Sequence, residues 1–179
     1  DLLWLDPAPM NDSQALATTQ AIANTFHLRT LSDLARAAGA LRLGAIPEFT
    51  GRADGLPGLQ ARYGGFVFKE TRLLDIGLRY EALLLGDVDV VVAFGTDGAI
   101  ASDHLVLLRD DKHVWPVYQI APVVRADALA LYPGIAAALN PLAPHLTDAT
   151  MRRLNAAVDA DKRDPADVAA AFLRDVRLA

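Results

Sequence analysis

The 179 residues include no cysteine, which excludes disulfides, thiolate nucleophiles and cysteine-based metal sites. Basic residues are few and scattered: 17 Lys and Arg stand against 22 Asp and Glu, for a net charge of −5 and a pI near 5.2. Phosphate backbones need a basic face, so this charge balance argues against nucleic acid as a partner. No apolar stretch reaches the ~20 residues that span a bilayer. The four histidines, His27, His104, His113 and His145, lack the i, i+4 or H-x-H spacing of ligands. They read as surface or capping residues, with no metal and no cofactor expected. There is no G-x-S-x-G, no P-loop and no G-x-G-x-x-G. The chain opens at Asp1 with neither an initiator Met nor a signal peptide, and so reads as a processed or trimmed product.

What is present is globular in balance, 53% hydrophobic and 22% charged, enough for one ordinary domain or two small lobes. Strand and helix patterns alternate, which predicts an α/β class with a largely parallel sheet. Strands are expected at Gln14–Thr19, Leu41–Ile46, Phe66–Phe68 and Asp87–Phe94. Thr30 caps a helix over Leu31–Ala38, with Asp33 completing a capping box. The Gly- and Pro-rich PEFTGRADGLPGL reads as a loop opening a helix that runs to about Tyr63. A further helix is expected at Asp75–Leu85. The last third is helical, with caps at Thr147 or Asp148 and at Asp164-Pro165.

The stretch from Val88 to Asp127 organises the chain. Its nearly continuous valine run marks a strand buried on both faces. Phe94 ends that strand before the turn Gly95-Thr96-Asp97-Gly98, and Tyr118 lies in the aromatic loop Trp115-Pro116-Val117-Tyr118. These two rings read either as core residues closing the sheet or as walls of a pocket at strand ends. Asp87 and Asp89 read as strand-edge carboxylates, and Asp110-Asp111-Lys112-His113 as a solvated turn. Arg52, flanked by Phe49 and Asp54, could present its fork to a ligand carboxylate. It could equally be a surface arginine pairing with Glu48 or Asp54.

Six collinear segments then carry a resemblance: LLWLDPAPMNDSQALA (Leu2–Ala17), LRTLSDLA (Leu28–Ala35), LGAIPEFTGRADGLPGL (Leu43–Leu59), DIGLRYEALLLGDVDVVVAFGTDGAI (Asp75–Ile100), LVLLRDDKHVWPVYQIAPVVR (Leu105–Arg125) and LNAAVDADKRDPADVAAAFL (Leu154–Leu173). Together they resemble the substrate-binding component of osmoprotectant ABC transporters, the glycine betaine/carnitine/choline binders of the ProX and OpuC type (OpuAC-like domains). The resemblance implies a type II periplasmic-binding-protein fold, with two α/β lobes joined by a hinge. On that reading residues 1–12 are a lead-in to lobe one, 13–101 are lobe two, and 102–179 return to lobe one. Family members begin with a further N-terminal part of lobe one, which this chain lacks.

The resemblance also implies a site. The family holds a quaternary ammonium in a box of aromatic rings and the ligand carboxylate on an arginine and polar groups. A trimethylammonium donates no ordinary hydrogen bond, so ring quadrupoles hold it. By position, Tyr118 and Phe94 supply rings, Arg52 the guanidinium, with Phe49 beside it and Thr96 in the turn after Phe94. The family's box tyrosine is replaced by Gln14, and Asp12 supplies a ligand or supporting contact. These replacements predict a zwitterionic or cationic quaternary-amine ligand other than glycine betaine at best affinity.

The function so implied is that of an exported, monomeric solute-binding protein at the outer face of the membrane. It would carry its solute to an ABC permease and have no catalytic activity. A ligand-sensing module of a regulator or receptor would share the fold, and an enzyme on a two-lobed scaffold is the third class.

Overall fold

The valine run becomes the middle strand of the larger of two sheets. The computed structural model describes residues 1–178. In chain order the elements are β1 (Leu2–Trp4), β2 (Gln14–Thr18), α1 (Gln20–Thr25), α2 (Leu31–Ala37), β3 (Arg42–Ala45), α3 (Pro47–Gly51), α4 (Leu56–Tyr63), β4 (Glu70–Leu73), α5 (Arg79–Leu84), β5 (Val90–Phe94), α6 (Gly98–Ser102), β6 (Val106–Leu107), β7 (Val123–Arg125), α7 (Ala126–Leu131), α8 (Gly134–Leu139), α9 (Asp148–Asp159) and α10 (Pro165–Asp175). They group into two units. The first comprises residues 1–12, 96–102 and 117 onward, and the second residues 13–95 and 103–116. Compared with the expected lobes, 96–101 group with the first unit and 103–116 with the second. The reason is pairing and packing: α6 lies on α9, whereas β6 pairs with β2.

The second unit is built on a five-stranded sheet of order β4-β3-β5-β2-β6. Val90 to Ala93 are fully buried, as a strand with neighbours on both sides and cover on both faces requires. The sheet is mixed, not largely parallel. β3 runs parallel to β4 and β5, while β2 runs antiparallel to β5 and β6. Leu16, Leu31, Leu34, Leu43, Phe49 and Phe66 are among the core residues. Thr30 caps α2, and Asp33 answers with a bond to the Thr30 amide at 2.8 Å, so the predicted capping box forms.

Three expectations fail here for identifiable reasons. Phe66–Phe68 is not a strand; the strand is Glu70–Leu73. Phe66 sits at φ 62°, a left-handed conformation that ends any ladder, and its buried ring meets Tyr63 edge-on at 5.5 Å. The PEFTG segment is not loop but α3, with Pro47 in its first turn, where a missing N–H costs nothing. The helix expected at Asp75–Leu85 is shorter, because Asp75 to Leu78 form a turn, with the Leu78 amide donating to the Asp75 carbonyl at 2.9 Å.

Asp110-Asp111 is likewise more than a solvated turn. Tyr63 donates its hydroxyl to Asp110 at 2.5 Å, and the Trp115 amide donates to the same carboxylate at 3.0 Å. Ser32 donates its hydroxyl to Asp111 at 2.6 Å. Burial, then the Asp110 hydrogen bond, raise the Tyr63 pKa well above the usual phenol. Asp89, read as a strand-edge carboxylate, accepts from Arg42 Nε at 2.9 Å, Nη2 at 2.7 Å and the backbone amide at 2.8 Å. This pair ties the start of β3 to the approach of β5.

The first unit holds a two-stranded antiparallel sheet, β1 with β7, in the register Leu3 opposite Val124. Its helices follow the predicted caps. The Thr147 side chain accepts from the Thr150 amide, and Asp164 accepts from the Ala166 amide ahead of Pro165. Gly98, the first residue of α6, lies directly against α9. A Cβ there would stand 2.5 Å from the Ala156 nitrogen.

Candidate ligand-binding site

The seven predicted site residues divide between the units. Gln14, Phe49, Arg52 and Phe94 belong to the second, and Asp12, Thr96 and Tyr118 to the first.

In the second unit the β2–β5 ladder sets Gln14 directly opposite Phe94. Such cross-strand partners have Cβ atoms about 5 Å apart, so the amide and the ring share one face at the same end of these two inner strands. Arg52, the residue that ends α3, directs its fork at Asp54: Nε to Oδ1 at 2.8 Å and Nη2 to Oδ2 at 2.6 Å. The Arg52 side chain is 57% exposed. Gln14 Nε2 donates to the same carboxylate at 3.1 Å. The Arg52 hydrogen bond is the main cause holding the Asp54 carboxyl below its ordinary pKa. Asp54 is fixed in turn by Trp115, whose indole N–H donates to the Asp54 carbonyl at 2.7 Å. Asp54 is therefore a hub for two of the predicted residues, a role the sequence reading allowed only as a surface ion pair.

Phe49 differs from expectation. It is 1% exposed and lies in the core, so its ring supports the loop from behind and offers no face to a solute. The loop packs tightly over it: a Cβ on Gly55 would come within 2.1 Å of the Phe49 carbonyl oxygen.

In the first unit, the Thr96 hydroxyl donates to Asp12 Oδ1 at 2.5 Å. The Asp12 amide donates to the Tyr118 carbonyl at 3.0 Å, and the Tyr118 amide donates to Asn11 Oδ1 at 2.8 Å. Asp12, Thr96 and Tyr118 are thus brought together. Tyr118 is 46% exposed, so its ring is not the core residue that the simpler reading made it. Asn155, on α9, donates to the Thr96 carbonyl at 2.9 Å and anchors the turn. Nothing in the sequence pattern marked Asn155, because its partner lies 59 residues away. The cavity of about 410 Å³ beside Arg153, Asp161 and Phe172 is lined by none of the seven predicted residues.

Chemically the two groups differ. The second unit offers a half-buried ring, an amide and a guanidinium already engaged by a carboxylate. The first offers a half-exposed phenol and a hydroxyl–carboxylate pair. Rings and carboxylates attract a cation, and the guanidinium suits a carboxylate.

Comparison with known proteins gives these groups a context. The family model described as the substrate-binding domain of the ABC-type glycine betaine transport system matches residues 1–175. A glycine-betaine-binding protein of Pseudomonas aeruginosa is 38% identical over 99% of the chain and 60% of its own length. The glycine betaine-binding protein YehZ of Escherichia coli is 36% identical over 97% of the chain, again with 60% of its length covered. The chain therefore spans about 60% of the length of these relatives. The crystal structure of a glycine betaine/carnitine/choline ABC transporter protein superposes with a TM-score of 0.92 at 34% identity, over 99% of the chain and 65% of that protein. Its fold is accordingly the α/β fold of periplasmic binding proteins. The family is one of transport solute-binding domains and not of enzymes. The chain belongs to the family of substrate-binding domains of ABC-type glycine betaine transport systems.

Proposed function

We propose that the chain is part of an extracytoplasmic solute-binding protein that holds a quaternary-ammonium compatible solute and delivers it to an ABC permease. The observation that carries this reading is positional. Of the seven predicted ligand residues, Asp12, Gln14, Phe94, Thr96 and Tyr118 each lie within two residues of a point where the chain passes from one unit to the other. Positions at such chain crossings are where a protein that changes conformation with its solute registers binding.

Phe94 and Tyr118 supply rings to the ammonium, each contributing about 0.5–2 kcal/mol when desolvated. Arg52 takes the ligand carboxylate, exchanging part of its pairing with Asp54. Gln14 spends its amide nitrogen on Asp54, which leaves its oxygen as the acceptor for a ligand hydroxyl. Choline and carnitine carry such a hydroxyl and glycine betaine does not, so plain glycine betaine is not the tightest ligand.

Calorimetry of the complete protein with glycine betaine, choline, carnitine, proline betaine and ergothioneine tests this. Tightest binding to glycine betaine overturns the Gln14 argument, and no binding across the panel overturns the reading as a whole. Arg52→Ala should weaken carboxylate ligands about tenfold more than choline, as expected when a hydrogen-bonded charge partner is lost. Equal losses remove Arg52 from that role. Tyr118→Ala should weaken every quaternary ligand, and unchanged affinities exclude its ring from the site.

A further inference from the structure

Phe94 has no polar atom to set the orientation of its ring, yet a cation–π site needs a defined face. The residue placed to define it is Arg79. It is the first residue of α5 and is only 4% exposed. Its Nη1 donates to the Ile76 carbonyl at 2.5 Å, which ties the guanidinium to the turn ahead of the helix. From there its Cζ stands 4.6 Å from the Tyr80 ring centroid and 5.7 Å from that of Phe94. A guanidinium is flat, keeps its charge when buried, and stacks on aromatic faces, whereas an ammonium is a hydrated point charge on a flexible stem. Burying a charge is costly, and Leu or Met could fill the volume without that cost. What only arginine provides is a rigid plane against two rings with a donor left to anchor it.

We infer that Arg79 is a positioning residue for ligand binding: it holds the Phe94 ring in the orientation that receives the quaternary ammonium. The inference rests on the proposed reading of the site. Arg79 does not touch the ligand and acts only through Phe94. The half-buried ring at the end of β5 is held by the buried guanidinium of α5, so the strand end and the helix start form one platform. Tyr80 completes it from the next position along the helix.

The test is a double-mutant cycle on the complete protein, read by calorimetry with glycine betaine and choline. Arg79→Met keeps the apolar stem and removes the plane; Phe94→Leu keeps bulk and removes the π face. Arg79→Met should lower affinity for both ligands about 5- to 20-fold, a range spanned by one cation–π contact. In the Phe94→Leu background the same substitution should change affinity less than twofold, because the ring it positions is gone. Arg79→Lys should not restore binding. A purely structural role predicts equal losses in both backgrounds, and that result overturns the inference, as does wild-type affinity in Arg79→Met. If Arg79→Met does not fold, the same cycle is read with Arg79→Lys, which keeps a donor for the Ile76 carbonyl and lacks the plane. A wild type that binds neither ligand sinks the underlying reading, whereas a binding wild type with an additive cycle sinks only the role of Arg79.

Discussion

Adding one methyl group at Gly98 should disturb, from a distance, the turn that carries Thr96. A Cβ there would stand 2.5 Å from the Ala156 nitrogen, 2.7 Å from the Asn155 carbonyl carbon and 2.8 Å from the Ala156 Cα. Ordinary contacts are about 3.5–4.0 Å, and all three atoms are backbone of α9, so no side chain can swing aside. α6 and α9 must part by about 1 Å to restore ordinary contact. That movement takes the 2.9 Å bond from Asn155 to the Thr96 carbonyl out of range. Overpacking costs about 1–3 kcal/mol and the lost hydrogen bond about 0.5–1.5 kcal/mol. The better helix propensity of alanine offsets up to about 1 kcal/mol. The net expectation for Gly98→Ala is a loss of about 1–3 kcal/mol, a fall in Tm of roughly 2–4 °C per kcal/mol for a chain of this size. Ligand affinity should fall as well, because Thr96 carries the bond to Asp12. Gly134→Ala is the control: a Cβ at Gly134 meets nothing within 4 Å, and the substitution should be neutral or stabilising by up to about 1 kcal/mol. Thermal unfolding and calorimetry on both variants decide the matter. Gly98→Ala with wild-type Tm and affinity would refute the claim that the α6–α9 contact sets the turn.

Two further expectations concern stability. The Arg42 hydrogen bonds, chiefly, lower the Asp89 pKa, so the pair's stabilisation is present above the unfolded carboxyl value and is lost as pH falls below about 4. Asp89→Asn should therefore cost about 2 kcal/mol at pH 7, and thermal unfolding should show that difference shrinking toward pH 3; a constant difference would refute the linkage. Tyr63→Phe removes the donor to Asp110 and the acceptor of the Lys112 amide at 3.0 Å. It should cost about 1–3 kcal/mol in chemical denaturation, and an unchanged midpoint would return the Asp110-Asp111 segment to a solvated turn.

Much of the fold was legible because its signals are local. Thr30 with Asp33, Thr147 with Thr150, and Asp164 before Pro165 satisfy helix amides within three residues, so the caps could be read from spacing alone. The run ending at Phe94 was legible because a strand buried on both faces has no polar face to show. The candidate site was legible less by physics than by resemblance. Spacing could not separate a core ring from a pocket ring, and the structure separates Phe49, 1% exposed, from Tyr118, 46% exposed.

The rest is long-range. The strand order β4-β3-β5-β2-β6 brings Gln14 opposite Phe94 across 80 residues, and no local periodicity encodes which strands pair. The Asp54 hub depends on Trp115, 61 residues on, and the Asp89 pair on Arg42, 47 residues back. Phe66 left its predicted strand because burying its ring beside Tyr63 outweighed a strained φ. By itself the sequence determined where helices begin, which strand is central and which side-chain chemistries are on hand. Only the tertiary structure decided which of those side chains meet, because that depends on contacts between residues far apart in the chain, whose free energy no short window contains.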